Sequence, residues 1–221
     1  MKFLNAIFTT DRHKALFLLV IILAHNLIYP LSTGGGIGPL IFYLIFGTMF
    51  VFPVFMLSQR RSEHILITIS GVVVFFAGVT NSYTPGTLAL PVLYVSVIIY
   101  HMTIAVVLVR YIFVSEHILL EVVLTATSLY LIIGSVFTPM YGLIELMQPG
   151  SFVSSSGALI DWQLLLYYSY VTLTSVGYGD ITPAKYYAQA FASFEAIVGV
   201  LYTVILLSRL INAYENERSS Q

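Results

Sequence analysis

The chain has 221 residues, of which 58% are hydrophobic and only 9% are charged, and its mean hydropathy is +0.93. Because soluble domains have about 25% charged residues, this composition excludes an ordinary soluble protein and predicts an integral membrane protein. The absence of cysteine excludes a disulfide framework, a thiolate metal site and a cysteine nucleophile, and the formal net charge of -1 argues against a nucleic-acid partner.

The apolar residues lie in long uncharged stretches, such as residues 15–31 and 65–109, which are typical of membrane helices and not of the alternating strands of a membrane barrel. Glycine, proline and clusters of charge divide these stretches into six spans and one short re-entrant segment, residues 162–173. We therefore predict an all-α membrane protein. The predicted spans are residues 14–31, 39–57, 65–80, 89–114, 118–147 and 186–211.

The basic residues indicate how the chain is oriented, because Lys and Arg accumulate in cytoplasmic loops. With a cytoplasmic N-terminus and six spans, only Lys185 lies on the outer side. An odd number of spans would break this agreement. We therefore expect a multi-pass protein of the cell membrane, plasma or inner, with both termini in the cytoplasm. The basic residues predicted to be cytoplasmic are Lys2, Arg12, Lys14, Arg60, Arg61, Arg110, Arg209 and Arg218.

The apolar segment 162–173 is too short to cross a hydrocarbon core of about 30 Å, so it must enter the membrane and return. The residues after it include Gly177 and Gly179 and end at Pro183, which excludes a regular helix. Non-helical backbone at membrane depth is tolerated only inside protein or along a water-filled cavity. We therefore expect residues 175–182 to line a cavity.

Residues 172–180 read Thr-Leu-Thr-Ser-Val-Gly-Tyr-Gly-Asp, between a short apolar helix and a spanning helix. This string and its setting resemble the signature of potassium channels. The resemblance implies a six-transmembrane, non-voltage-gated subunit of prokaryotic type, which passes K+ ions passively at the axis of a homotetramer. It also implies a four-helix N-terminal domain, residues 1–117, and a pore domain, residues 118–221, made of an outer helix, a pore helix, the filter and an inner helix.

The residue types in the filter follow from the need to remove water from the ion. A cation in a narrow pore must exchange its water shell for oxygens already held in place, and backbone carbonyls supply them. Glycine permits the dihedrals that turn successive carbonyls toward one axis. Ser175 stands where the family usually has threonine. By resemblance, the K+ filter comprises Thr174, Ser175, Val176, Gly177, Tyr178 and Gly179.

Residues next to the filter are candidates for its support. Asp161 is well suited to cap the N-terminus of the pore helix. Asp180 lies just outside the filter, where it is either a solvated turn residue or, with Tyr167 as its partner, a brace. We predict that Tyr167 and Asp180 support the filter.

The last helix carries the remaining candidates. Gly199 lies twenty residues beyond Gly179, the family spacing of a gating hinge, although close helix packing would also call for glycine. Glu195 is predicted to face away from the cavity, and it either hydrogen-bonds a neighbouring helix or has a regulatory role as a proton sensor. The residues predicted to line the inner cavity are Val200, Thr203, Leu207 and Ile211.

The first four helices show no clear functional motif. The fourth span, residues 89–114, contains only Arg110, whereas a voltage sensor carries a series of arginines. We therefore do not expect steep voltage dependence, and the first three predicted spans also lack the acidic partners that such arginines would need. His25 and His101 lie within spans, where a histidine either packs with a hydrogen bond or senses pH.

Two other classes of protein are alternatives to the channel. A potassium transporter subunit uses a related pore loop, but such chains typically carry four loops with degenerate filters. A membrane enzyme would need clustered acid, base or metal ligands, and the five histidines are scattered, so we expect no enzymatic activity. The expected partners are further copies of the chain and membrane lipid, and we identify no small-molecule substrate. We expect permeant K+ ions and no organic cofactor.

Overall fold

The computed structural model describes residues 11–28, 36–51, 55, 57, 58, 60–84, 86–114 and 119–219. The chain divides into two compact units, Met1–Ile132 and Ile133–Gln221. This division falls inside a helix, and the predicted boundary between residues 117 and 118 stays a prediction.

The described residues are mostly helical. Within the described residues, four helical segments are long and apolar enough to cross a membrane, namely Arg61–Tyr83, Ala89–Phe113, Leu120–Met147 and Tyr186–Ser208. The first two predicted spans correspond to shorter apolar helices, His13–Leu27 and Gly38–Met49, while residues 29–31, 52–54 and 56 lie outside the described residues. The helices are α1 (Asp11–Ile28), α2 (Gly38–Met49), α3 (Arg61–Tyr83), α4 (Ala89–Val114), α5 (Leu119–Met147), α6 (Trp162–Leu173) and α7 (Tyr186–Ser219).

Helices α2, α3 and α4 of the first unit pack at a pair of glycines. A methyl group built on Gly47 would lie 2.6 Å from the carbonyl oxygen of Gly71, and one built on Gly71 would overlap the carbonyl oxygen of Gly47. The Tyr100 hydroxyl of α4 lies 3.0 Å from the carbonyl oxygen of Phe46, to which it can donate. Small residues allow such close backbone contact between membrane helices, where apolar surface alone gives little driving force.

The two membrane histidines of the first unit lie among aromatic rings. The ring centres of His25 and Phe46 are 4.7 Å apart, and those of His101 and Phe46 are 5.6 Å apart. His101 Nδ1 lies 2.9 Å from the carbonyl oxygen of Val97, so it is the protonated ring nitrogen. These contacts support the interpretation of both histidines as packing residues.

Arg110 does have an acidic partner. Its guanidinium forms an ion pair with Glu63, whose other carboxylate oxygen accepts a 2.5 Å hydrogen bond from the Ser58 hydroxyl. The prediction that the early spans offer no such partner was therefore wrong. The physical reason is the start of α3, which begins at Arg61 instead of residue 65 and so includes Glu63 in its first turn.

The second unit contains the part of α5 from Ile133 onward, helices α6 and α7, and a short β-ribbon. Strand β1 (Phe152–Ser154) pairs antiparallel with strand β2 (Ile181–Pro183), with Val153 opposite Thr182. The all-α prediction omitted this ribbon, because strands of three residues are too short to show a periodic pattern.

A small aromatic core holds the second unit together. The rings of Tyr141, Phe152 and Tyr168 meet edge to face, with centres 5.2 to 5.3 Å apart. Such arrangements add to the stabilisation from burial alone. The core joins α5, the ribbon, α6 and the start of α7, and its buried members are Phe137, Tyr141, Ile144, Phe152, Leu165, Tyr168, Ile181, Ala188 and Ala192.

Candidate ion pathway

The re-entrant helix α6 occupies residues 162–173, as predicted. Asp161 caps its N-terminus: its carboxylate accepts a 2.8 Å hydrogen bond from the backbone N–H of Leu164. The first backbone N–H groups of a helix have no partner within it, and an aspartate in extended conformation supplies one. The predicted role of Asp161 as N-cap is therefore confirmed.

The C-terminus of α6 closes with a pair of backbone hydrogen bonds. The N–H of Val176 reaches the carbonyl oxygen of Val171 at 3.0 Å, and the N–H of Ser175 reaches that of Thr172 at 2.9 Å. This pair of bonds defines a Schellman motif, in which the residue after the C-cap adopts a left-handed conformation. That residue is Ser175, with φ of 57°.

The filter segment alternates in the sign of φ. Gly177 and Gly179 also have positive φ, of 59° and 76°, whereas Val176 and Tyr178 between them do not. An extended strand points successive carbonyls to opposite sides, and alternating the sign of φ turns successive peptide groups toward one side. A methyl group on either glycine would meet no atom within 4 Å, so conformation and not space calls for glycine here.

Ser175 takes part in this alternation without being glycine. A left-handed residue with a Cβ costs about 1–2 kcal/mol, and a β-branched residue costs more than serine. The two hydrogen bonds that close α6 stabilise this conformation. Sequence reasoning noticed the serine but attributed no backbone conformation to it.

The filter is largely uncovered by its own chain. Val176 is 51% exposed and Tyr178 is 70% exposed, although both are large apolar side chains. Backbone carbonyls must surround an ion on all sides to replace its water shell. One chain therefore supplies only a part of such a lining.

The predicted brace residues lie together at the outer end of the filter. The Tyr167 phenol hydrogen-bonds to the Asp180 carboxylate, and this bond raises the pKa of Tyr167, because the ionised phenol could no longer donate it. The Tyr167 ring also stacks on that of Tyr178, with centres 6.5 Å apart and planes 5° apart. Their role in supporting the filter stays a prediction.

The segment after the filter is tied to the loop before α6. The backbone N–H of Ser155 donates to the Asp180 carbonyl at 2.8 Å, and that of Ala184 donates to the Ser151 carbonyl at 2.7 Å. Glu145 stabilises the same loop, since its carboxylate accepts from the N–H groups of Gly150 at 2.7 Å and Phe152 at 3.0 Å. Sequence reasoning missed Glu145; the signal was a carboxylate at a helix end before a Pro-Gly turn.

Gly199 lies against the end of α6. A methyl group built there would overlap the carbonyl oxygen of Leu173 and come within 3.0 Å of its carbonyl carbon. Helix α7 continues through this position without interruption, from Tyr186 to Ser219. This contact supports the close-packing interpretation of Gly199, and the hinge stays a prediction.

The structure does not single out a cavity face on α7. The predicted cavity residues Val200, Thr203, Leu207 and Ile211 are exposed in the single chain. Other residues around the helix are equally exposed, including Leu201, Val204 and Ile205. Their predicted role therefore rests on helical spacing alone.

Glu195 has no exposed surface and contacts two other helices. The Tyr141 hydroxyl of α5 donates to Glu195 Oε2, and the Ser169 hydroxyl of α6 lies 2.5 Å from Glu195 Oε1. Hydrogen bonds to neighbouring helices are what the structural interpretation of Glu195 predicted. Sequence reasoning identified neither partner, because a single tyrosine or serine in an apolar helix gives no local signal.

Comparison with known proteins adds a family match for the second unit. Residues 117–216, somewhat less than half of the chain, match a protein family described as "Ion channel". No solved structure matches the chain. The four membrane-length helices and this match indicate a membrane protein.

Two curated relatives are named as potassium channels. Two pore potassium channel c of Oryza sativa subsp. japonica is 41% identical over 64 residues, which are 29% of this chain and 14% of that protein. Potassium channel subfamily K member 17 of Homo sapiens is 32% identical over 62 residues, which are 27% of this chain and 19% of that protein. The chain thus spans less than a fifth of either relative.

The contact between Gly199 and Leu173 predicts an unusual effect of alanine. In an open helix, Gly→Ala stabilises by about 1 kcal/mol. We expect Gly199→Ala instead to destabilise the protein by about 1–3 kcal/mol, because the added methyl group overlaps backbone. Thermal unfolding in detergent measures this, with Ser193→Ala on the exposed side of α7 as control. A raised midpoint for Gly199→Ala would contradict close packing.

The Tyr167–Asp180 hydrogen bond predicts an effect on conduction. Tyr167→Phe removes the phenol hydroxyl and keeps the stacked ring, so we expect a several-fold slower uptake of rubidium into liposomes that contain the protein. Tyr186→Phe removes a hydroxyl from a tyrosine that is 89% exposed and serves as control. Equal uptake by both variants and the unaltered protein would argue against the brace.

Proposed function

We propose that the chain is one subunit of a potassium-selective channel of the cell membrane, with both termini in the cytoplasm. K+ ions pass passively through a filter lined by the carbonyl oxygens of residues 175–178, with the Ser175 hydroxyl as the innermost ligand and Gly179 at the outer mouth. The observation that carries this proposal is the alternation of φ through Ser175, Gly177 and Gly179 directly after a re-entrant helix.

The chemistry of this segment suits a large monovalent cation. Backbone carbonyls are neutral oxygen ligands, so they can replace water around K+ without binding it too tightly to leave. Hydrogen bonds at both ends of the segment, from α6 and from the loop at Ser155, restrict its movement. Oxygens that are held in place need no reorganisation when the ion arrives.

A homotetramer completes the proposed pore. One filter segment cannot surround an ion, and its exposed Val176 and Tyr178 need apolar cover. Four copies around one axis surround the ion and cover these apolar side chains. The exposed apolar residues of α7 supply a further surface for assembly or for lipid. Lipid and further copies of the chain are the proposed partners.

The single arginine of α4 supports a channel without steep voltage dependence. Moving one charge across the membrane yields about 2.3 kcal/mol per 100 mV, and voltage sensors use three to four such charges in each subunit. Arg110 is the only arginine or lysine in α4, and its ion pair with Glu63 opposes its movement.

The tetramer has a direct test. The chain has no cysteine, so two cysteines introduced at separate exposed sites can link each copy to two different neighbours, whereas one cysteine per copy would give only pairs. We expect graded cross-linking of purified protein in detergent to produce a ladder that ends at four copies, and the intact mass to agree. A ladder that ends at two would contradict the proposed assembly.

Conduction is tested with a matched pair of glycine variants. Gly157 and Gly177 both have positive φ, of 72° and 59°, and neither has an atom within 4 Å of an added methyl group. Both alanine variants therefore carry similar backbone strain, but only Gly177 lies in the filter. We expect rubidium uptake to survive excess sodium in the unaltered protein and in Gly157→Ala, and to be lost in Gly177→Ala.

The outcomes separate the possible functions. Rubidium uptake that excess sodium suppresses as strongly as excess potassium does would contradict potassium selectivity. Uptake that requires an imposed sodium or proton gradient would indicate a transporter instead of a channel. Equal loss in both glycine variants would mean that strain, and not the filter position, was responsible.

A further inference from the structure

A buried polar cluster joins three helices behind the filter. It consists of Tyr141 from α5, Ser169 from α6 and Glu195 from α7, and none of the three side chains has any exposed surface. The carbonyl oxygen of Gly134 on α5 completes it. Burying polar groups so deeply is costly unless they are hydrogen-bonded.

Three contacts connect the members of this cluster. Tyr141 donates to Glu195 Oε2. The Ser169 hydroxyl oxygen lies 2.5 Å from Glu195 Oε1 and also 2.8 Å from the Gly134 carbonyl oxygen. Each distance is that of a hydrogen bond, so each contact needs one proton.

Counting the protons shows that the hydroxyl groups cannot supply them all. Tyr141 and Ser169 each have one O–H, and a carbonyl oxygen can only accept. If Ser169 donates to Gly134, its contact with Glu195 requires a proton on the carboxyl group. A protonated Glu195 therefore satisfies all the contacts, whereas an ionised one leaves two acceptors competing for the Ser169 proton.

The charges around Glu195 agree with this count. Among the residues that the structure describes, the titratable groups facing it are the phenols of Tyr141 on α5 and Tyr168 on α6. On α7 itself, the residues one turn away are Phe191, Ala192, Val198 and Gly199. None of these groups is a cation, and a buried carboxylate without a cation is costly.

We propose that Glu195 carries a proton and, by donating it to Ser169, acts as a positioning residue for the filter; this rests on the proposed channel function. Ser169 is then free to donate to Gly134, so α6 is bonded to α5 and α7 at once. The neighbouring carbonyls of α6, from Tyr170 to Thr172, hold the backbone of residues 174–177.

The proposal fixes the direction of a pH effect. While the proton is bound, both bonds of Ser169 are made. As the pH rises and the proton leaves, Ser169 keeps one bond and loses the other, and a negative charge is buried behind the filter. Conduction should therefore fall toward alkaline pH.

Infrared spectroscopy tests the proton without any ion flux. The unaltered protein in liposomes at neutral pH should show the C=O stretch of a protonated carboxyl group, which Glu195→Gln removes and alkaline pH diminishes. Glu145→Gln is the matched control, because Glu145 accepts from two backbone N–H groups and needs no proton of its own for either contact. Absence of the band from the unaltered protein at neutral pH would overturn the proposal.

Rubidium uptake as a function of pH tests the positioning role. Glutamine can donate to Ser169 and accept from Tyr141 but cannot titrate. We expect uptake by the unaltered protein to fall roughly threefold to tenfold at alkaline pH, the size expected for one buried hydrogen bond. Glu195→Gln should lack this step, and Glu195→Leu should lose uptake at every pH.

The two measurements test two parts of the proposal independently, namely the proton on Glu195 and its positioning role. A pH profile of Glu195→Gln that matches that of the unaltered protein would overturn the positioning role, even if the infrared band is present. Absence of rubidium uptake by the unaltered protein at any pH would count against the proposed channel, and the band would still decide whether Glu195 carries a proton.

Discussion

The hydrogen bond from the Val176 N–H to the Val171 carbonyl is the interaction on which the filter depends. It ends α6 and holds Ser175 in a left-handed conformation. The same sign of φ then recurs at Gly177 and Gly179, so the helix end determines where the following peptide groups point. In the proposed pore, an ion that has lost its water needs oxygens at definite positions, and this helix end sets the first of them.

Separate elements hold α6 in place along its length. Asp161 caps its start, Ser169 bonds its middle to α5 and α7, and Gly199 brings α7 against the Leu173 carbonyl at its end. A binding site tolerates errors of only about 0.5 Å in its ligands. A short helix at membrane depth has little stability of its own, which explains why its contacts to the rest of the second unit are so numerous.

The two units are stabilised by different means. The second unit has an aromatic core and a β-ribbon that ties the segment after the filter to the preceding loop, and the family match from residue 117 to 216 covers most of it. The first unit relies on close contact between Gly47 and Gly71 and on the ion pair of Glu63 with Arg110. That pair compensates the charge of Arg110, the single arginine of α4. A voltage sensor would carry several arginines in its fourth helix.

The sequence by itself determined the features that depend on neighbouring residues. Hydropathy placed α4 at residues 89–114 and α6 at 162–173, and the glycines at 177 and 179 indicated an unusual backbone conformation after α6, because both signals are local. Only the tertiary structure decided the partners of Glu195, which lie 26 and 54 positions away, the pairing of Glu63 with Arg110, and the left-handed Ser175. Contacts between residues far apart in the chain depend on how helices pack, and no local pattern of residue types encodes that packing.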